Sequence, residues 1–179
     1  KRGGEFDSVD VKLLSAVANH ATTFLVNHRL YAELQELLLG LLESLTASID
    51  AKDPYTSGHS KRVARISEVL AERMGLDPQR SRQIYIAGLL HDVGKIGMPE
   101  HILCKPSKLT DEEYRTVKQH PMAAGRILAQ VRPLEDVLEG ILTHHERMDG
   151  KGYPRGISGE SIPIEGRIIG LADCFDAMT

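Results

Sequence analysis

Residues 84–95 read Ile84-Tyr85-Ile86-Ala87-Gly88-Leu89-Leu90-His91-Asp92-Val93-Gly94-Lys95, an apolar run that ends in an imidazole and a carboxylate side by side. The apolar positions suit one helix from Arg80 to His91, stopped by Gly94 and Gly97. At the end of such a helix His91 and Asp92 point into the protein rather than into water, and a buried polar pair is costly without partners. The rest of the chain is read by asking where those partners lie.

On the amino-terminal side, Ser57 to Gly75 carries Val63, Ile66, Val69, Leu70 and Met74 on one face, with Gly75 at a C′ position. Before it, Val9 to about Lys52 holds no Pro and a single Gly, with Asp7 or Ser8 available as N-cap, and reads as one long helix. Alternate steps of four and three visit Val17, Ala21, Phe24, His28, Tyr31, Gln35, Leu38, Leu42, Leu45 and Ile49, close to the 3.5-residue period of a coiled coil. Two readings stay open for that seam: packing along the rest of the domain, or a parallel dimer interface. On the carboxy-terminal side, Pro99 to Leu109 reads as a loop with one turn. Thr110 to about Val131 is a helix with a Thr110/Glu113 capping box, broken or restarted at Pro121. Pro133 to about Arg147 is a helix, Asp149 to Pro163 a Gly-rich loop, and Ile164 to Thr179 a last helix. No strand alternation occurs, so the expected class is all-α with no substantial sheet.

Composition narrows the function. Among 179 residues, hydrophobic side chains make up 41% and charged ones 26%, which excludes disordered and collagen-like classes. Twenty-two Lys plus Arg against twenty-five Asp plus Glu leave a formal charge of -3, so there is no global field to hold a nucleic acid polymer or an anionic membrane. No apolar run reaches the ~20 residues of a membrane span. Cys104 and Cys174 have no paired spacing, which fits a reducing, cytoplasmic setting and leaves both out of the chemistry. Eight His is the unusual count.

Five of those His fall where a site could form. His59 opens one helix, His91 ends another, His120 stands beside Pro121, and His144 and His145 are adjacent; Asp92 and Asp173 add carboxylates in apolar helices. Neighbouring residues on a helix diverge by about 100°, so His144 and His145 are expected to serve two neighbouring ions rather than one. Asp92, with two oxygens, is the natural bridge between them. Nitrogen and oxygen donors without thiolate suit Fe(II), Mn, Co, Ni or Zn. Two such ions activate water and clamp an in-line displacement at phosphorus, with Lys95 one turn from His91 to meet the anion. Phosphoester hydrolysis is the reaction that this donor set points to. His20, His28 and His101 are read as ordinary side chains.

These residues resemble a known family. His91-Asp92-Val93-Gly94-Lys95 is similar to the HD-x-G-K core of the HD metal-dependent phosphohydrolases, and His144-His145-Glu146-Arg147-Met148-Asp149-Gly150-Lys151-Gly152-Tyr153-Pro154 to the HHExxDGxGYP signature of the HD-GYP branch. The resemblance covers about Asp50 to Thr179. It implies a compact HD-type helical bundle preceded by the long helix, with residues 53–179 as the catalytic domain and 1–52 as a signalling or linker helix. It also implies a cyclic di-GMP phosphodiesterase of bacterial second-messenger signalling that opens the ring to linear pGpG, some members continuing to GMP. Position by position it gives His59, His91, Asp92, His120, His144, His145 and Asp173 as metal ligands, Asp92 and Lys95 as catalytic, and Lys95 and Tyr153 as substrate contacts within the motif loop Gly152, Tyr153 and Pro154. Two divalent ions are expected, Fe or Mn before Zn, Ni or Co, because Tyr55 stands where three-metal members carry Glu. A diguanylate cyclase (GGDEF) partner and a homodimer through the amino-terminal helix complete the expectation.

Two departures accompany the resemblance. Met148 replaces a frequent Trp, and family members continue into a basic run where nothing follows Thr179, so the domain is expected to be truncated at its carboxy-terminal end, with weak or no activity. Residues 1–31, with Gly4, Phe6, Asp7, Leu13 and Leu14, resemble the last helix of a GAF sensory domain. The competing functions are a broader HD nucleotide phosphohydrolase and a non-catalytic module that binds cyclic di-GMP or a partner.

Overall fold

The first turn of a helix leaves backbone N–H groups unmatched, and Asp7 supplies the missing acceptor: its Oδ1 takes the N–H of Val9 (2.8 Å) and of Asp10 (3.0 Å). From there α1 runs over Ser8–Asp50. The computed structural model describes residues 6–52 and 57–179, so Gly4 and the Asp53-Pro54-Tyr55 segment lie outside the described residues. The chain divides into two units, Lys1–Leu41 and Leu42–Thr179. In the first, the apolar seam positions Val17, Phe24, Tyr31 and Leu38 are exposed. In the second, Thr46, Ile49 and Asp50 at the end of α1 are buried.

Six further helices of the second unit are cut where the sequence places caps and breakers, and a single-turn one joins them. They are α2 (His59–Arg73), α3 (Pro78–Leu90), α4 (Glu100–Leu103), α5 (Asp111–Val117), α6 (His120–Leu128), α7 (Glu135–Thr143) and α8 (Ile164–Met178). No strand occurs among the described residues. Gly75 ends α2 in a left-handed conformation, φ +80°. α3 starts earlier than its apolar run, at Pro78, because Asp77 accepts the N–H of Arg80 (3.0 Å) and Pro fits the first helical position. The Thr110 capping box forms, with Glu113 N–H on Thr110 Oγ1 (3.2 Å) and Thr110 N–H on Glu113 Oε2 (2.7 Å). Thr110→Ala is expected to cost about 1 kcal/mol, read as a lowered urea midpoint with an unchanged slope.

The core joins α2, α3, α7 and α8 through Val63, Ile84, Leu90, Ile141 and Ile169, all 0% exposed. Two glycines set how closely the backbones approach. At Gly94, in the 3-10 turn Val93–Gly97, a Cβ would overlap the His120 carbonyl at the start of α6 and lie 2.7 Å from Ala124 N. At Gly170 of α8, a Cβ would overlap the His144 carbonyl. Here the structure departs from the expected Pro133–Arg147 helix: a 3-10 turn at Arg132–Leu134 precedes α7, which stops at Thr143. The His145 carbonyl then takes the N–H of Tyr153 (3.2 Å) in place of a helical partner. No helix of the described residues is long and apolar enough to cross a membrane.

Candidate metal centre

Helix carboxy-termini leave carbonyl oxygens unmatched, and three of the site imidazoles use them. Nδ1 of His91 lies 2.6 Å from Gly88 O, that of His120 2.8 Å from Val117 O, and that of His144 2.6 Å from Ile141 O. A carbonyl only accepts, so each Nδ1 carries the proton and each Nε2 is turned to the interior. Nε2 of His120 and Nε2 of His144 face each other at 3.4 Å. Burial lowers the pKa of both rings, well below the ordinary value for His144, where the neighbouring His145 adds to the effect. Both rings are therefore neutral, and two lone pairs converge with no proton between them. That arrangement calls for a cation.

Asp92 stands between two groups of donors. Its Oδ2 accepts from Lys95 Nζ at 2.7 Å and lies 3.4 Å from His91 Nε2, while Oδ1 lies 3.3 Å from His120 Nε2. Despite these approaches, Asp92 Oδ1 and His91 Nε2 are buried with no hydrogen-bond partner. Burial opposes the charge on Asp92, but His91 and Lys95 outweigh it and hold the carboxyl well below its usual range. Burial also opposes charging of His91, and the Asp92 anion overcomes it, raising that imidazole.

All seven side chains singled out in the sequence come together. Donor atoms of His59, His91 and Asp173 lie within 4.8 Å of one another, as do those of His91, Asp92 and His144, and those of His120, His144 and His145. Shared members make one continuous run of donors, which suits more than one cation. In one respect the expectation is corrected: His144 and His145 do not diverge, their ring centroids being 4.0 Å apart. His144 itself keeps helical backbone angles (φ −64°, ψ −21°), so the angle between neighbouring helical positions does not keep the two rings apart. Burial pushes His145 down to about 4, with His120 adding to it. His59 is the opposite: burial works against its charge, yet Asp173 (3.1 Å from Nε2) and Asp176 (2.7 Å from Nδ1) raise it to about 9.

Beside this centre lies a cavity of about 520 Å³ whose walls include His144, His145, Tyr153, Lys118 and Arg167. The Tyr153 ring lies 4.6 Å from that of His145, and Lys118 Nζ sits 4.4 Å from the Tyr114 ring centroid and 5.5 Å from that of Tyr153. Burial raises the Tyr153 hydroxyl, which stays protonated. Gly152, Tyr153 and Pro154 belong to a loop clamped from both sides. Glu146 Oε1 accepts the N–H groups of Arg155 (2.6 Å) and Gly156 (3.1 Å), and the Arg155 guanidinium pairs with Glu139 on α7 (2.9 and 3.1 Å).

Sequence reasoning missed Glu146 and Asp176 as parts of this architecture. The available signal for Asp176 was its spacing, three residues beyond Asp173 and so on the same face of α8. Lys95 was placed toward an anion on the metals, and here its ammonium is paired with Asp92.

Comparison with known proteins shows the family. The profile of the HD domain family matches residues 43–179. The chain is 43% identical over 150 residues to a cyclic di-GMP phosphodiesterase of Thermotoga maritima, covering 83% of this chain and 41% of that protein. It is 39% identical over 144 residues to 3'3'-cGAMP-specific phosphodiesterase 1 of Vibrio cholerae, covering 80% and 33%. The chain thus spans well under half of the length of these curated relatives. Among solved structures, a cyclic GMP-AMP specific phosphodiesterase of V. cholerae superposes with a TM-score of 0.63 at 21% identity, over 77% of this chain and 40% of the other. The Bdellovibrio bacteriovorus protein Bd1817, described as an HDG"Y"P protein, gives 0.58 at 24% identity, over 67% and 40%. At those identities the likeness is one of fold.

Proposed function

The chain belongs to the HD domain family, and from that premise we propose that residues 53–179 are the catalytic part of a metal-dependent phosphodiesterase hydrolysing cyclic di-GMP to linear pGpG, with GMP as a further product. The observation that carries the reading is Asp92, whose two oxygens face different imidazoles of a seven-donor cluster. The family binds divalent metal. Our reading is two ions, Fe(II) or Mn(II), with Zn, Ni and Co as substitutes, held by His59, His91 and Asp173 at one end and by His120, His144 and His145 at the other, with Asp92 shared.

Bound there, divalent ions supply the Lewis acidity that activates water and offsets charge developing on the phosphoryl oxygens. The chain's own groups do the rest. The Nδ1–H···O=C bonds of His91, His120 and His144 fix their rings, so no reorganisation is needed during turnover. Lys95 Nζ, held on Asp92 Oδ2, brings a cation to the edge of the centre, where a phosphodiester oxygen accepts a charge-assisted hydrogen bond. Tyr153, backed by Lys118, forms one wall for the nucleotide beyond the attacked phosphate. Residues 1–52 we read as a signalling helix that pairs with a second copy through its exposed seam, in a cytoplasmic protein that works with a diguanylate cyclase. A second reading has its own support: relatives named as specific for 3'3'-cGAMP are 36–41% identical to this chain, so the second purine is open to adenine.

The test is anaerobic incubation of the Mn(II)- or Fe(II)-loaded chain with each cyclic dinucleotide and chromatography of the products. We expect pGpG from cyclic di-GMP, loss of turnover on chelation, recovery on returning the metal, and no product from His91→Ala. Faster turnover of 3'3'-cGAMP would favour the second reading, and tight binding with no product from either would favour a non-catalytic module.

A further inference from the structure

His59 differs from the other imidazoles in what stands behind it. His91, His120 and His144 follow helical turns whose carbonyls accept their Nδ1–H. His59 is the first residue of α2, behind Gly58, and a helix amino-terminus offers backbone donors, not acceptors. The acceptor has to come from another element. It is Asp176 of α8, whose Oδ2 lies 2.7 Å from His59 Nδ1 and whose side chain is 7% exposed. The same carboxylate receives Arg62 in a fork, Nε to Oδ1 at 2.7 Å and Nη2 to Oδ2 at 2.9 Å. Arg62 Nη1 also donates to Ser57 O at 2.9 Å, tying the residues ahead of α2 into the same arrangement.

We infer that Asp176 is a positioning residue of the centre: it holds the His59 ring so that Nε2 is presented beside Asp173, and Arg62 holds Asp176. This rests on the reading of the seven donors as a metal site. The geometry gives the reason for a carboxylate rather than a carbonyl. His59 and Asp173 form one end of the donor run, and the anion behind His59 both orients the ring and strengthens its outward nitrogen as a donor. Arg62 balances the charge of Asp176, so the centre gains orientation without an added net charge.

The experiment is a chelator-competition titration of Zn(II) with the full 179-residue chain, with ¹⁵N spectra of the histidine rings as a second readout. Wild type is compared with Asp176→Ala, Asp176→Asn and Asp176→Glu. Asp176→Ala is expected to weaken one of two sites by about 10- to 100-fold. The His59 Nδ1–H signal should be lost, while those of His91, His120 and His144 remain. Asp176→Asn keeps the size and one acceptor and should fall between, and Asp176→Glu should recover part of the affinity. A general packing defect would instead weaken both sites together and disturb all four rings, and that result overturns the inference. Wild type binding two ions while Asp176→Ala and Asp176→Asn bind them equally well also overturns it, leaving the metal reading intact. Wild type binding none overturns both.

Discussion

Asp92→Asn is expected to lose metal and to lower turnover by about 10²-fold or more, and separately to destabilise the fold by the roughly 3–5 kcal/mol typical when one partner of a buried charged pair is removed. The substitution keeps shape and removes charge. In the native chain the Asp92 anion is buried and is stabilised by His91, Lys95 and His120, with Lys95 Nζ at 2.7 Å. Without it, Lys95 and His91 both lose the carboxylate oxygen that they approach, at 2.7 and 3.4 Å, and on our reading the donor shared between the two ends of the centre is gone. Elemental analysis, steady-state rates and urea unfolding of the metal-free chain separate the parts. The metal-free variant should itself be destabilised, since the charge network exists before any ion arrives. Retention of two ions per chain, with turnover within about threefold of wild type, would show that Asp92 is not shared between the two ends.

Gly94→Ala should be among the most damaging single-methyl changes at the described glycines. The added carbon would overlap the His120 carbonyl and lie 2.7 Å from Ala124 N, and both are backbone atoms that no rotamer change can move. Overpacking of this kind costs about 1–3 kcal/mol and at times more, and a backbone obstacle puts it at the upper end. For a chain of this length about 3 kcal/mol corresponds to a fall of roughly 6–12 °C in the melting temperature. The relief available is to push α6 away from the Val93–Gly97 turn, which draws His120 from Asp92. Metal content should therefore fall along with the melting temperature. A variant that melts within about 2 °C of wild type and keeps its metal would mean that the two backbones tolerate a wider separation.

Much of this was written locally. His91-Asp92 at the end of an apolar helix, the paired His144-His145 and the Thr110 capping box depend on residues a few positions apart, and short-range chemistry fixes them. What stayed hidden depends on partners distant in sequence. His59 meets Asp176 across 117 positions; the spacing from Asp173 puts Asp176 on the same face of α8 but does not say which side chain it meets. The approach of the His144 and His145 rings is not legible because the 100° between neighbouring helical positions does not fix where two side chains end, and the chain leaves the helix just after them. There the close approach of Gly170 to the His144 carbonyl and the Tyr153 hydrogen bond redirect the chain. The apolar run of α3 begins well after its true start, because the Asp77-Pro78 capping chemistry carries no hydrophobic signal.

Asp50 closes α1, and it is buried; its two oxygens take the hydroxyl and the N–H of Ser60, at 2.7 and 3.1 Å. Ser60 is the neighbour of His59, which makes the last residue of the long helix a hinge pin for the first turn of α2. A twist or slide at the end of α1 cannot leave Ser60 in place without breaking two hydrogen bonds to a buried carboxyl group. Holding them moves the peptide that carries His59. A single carboxylate thus ties the end of α1 to the neighbour of His59, and on our reading of the centre that is where a movement of the long helix would be felt.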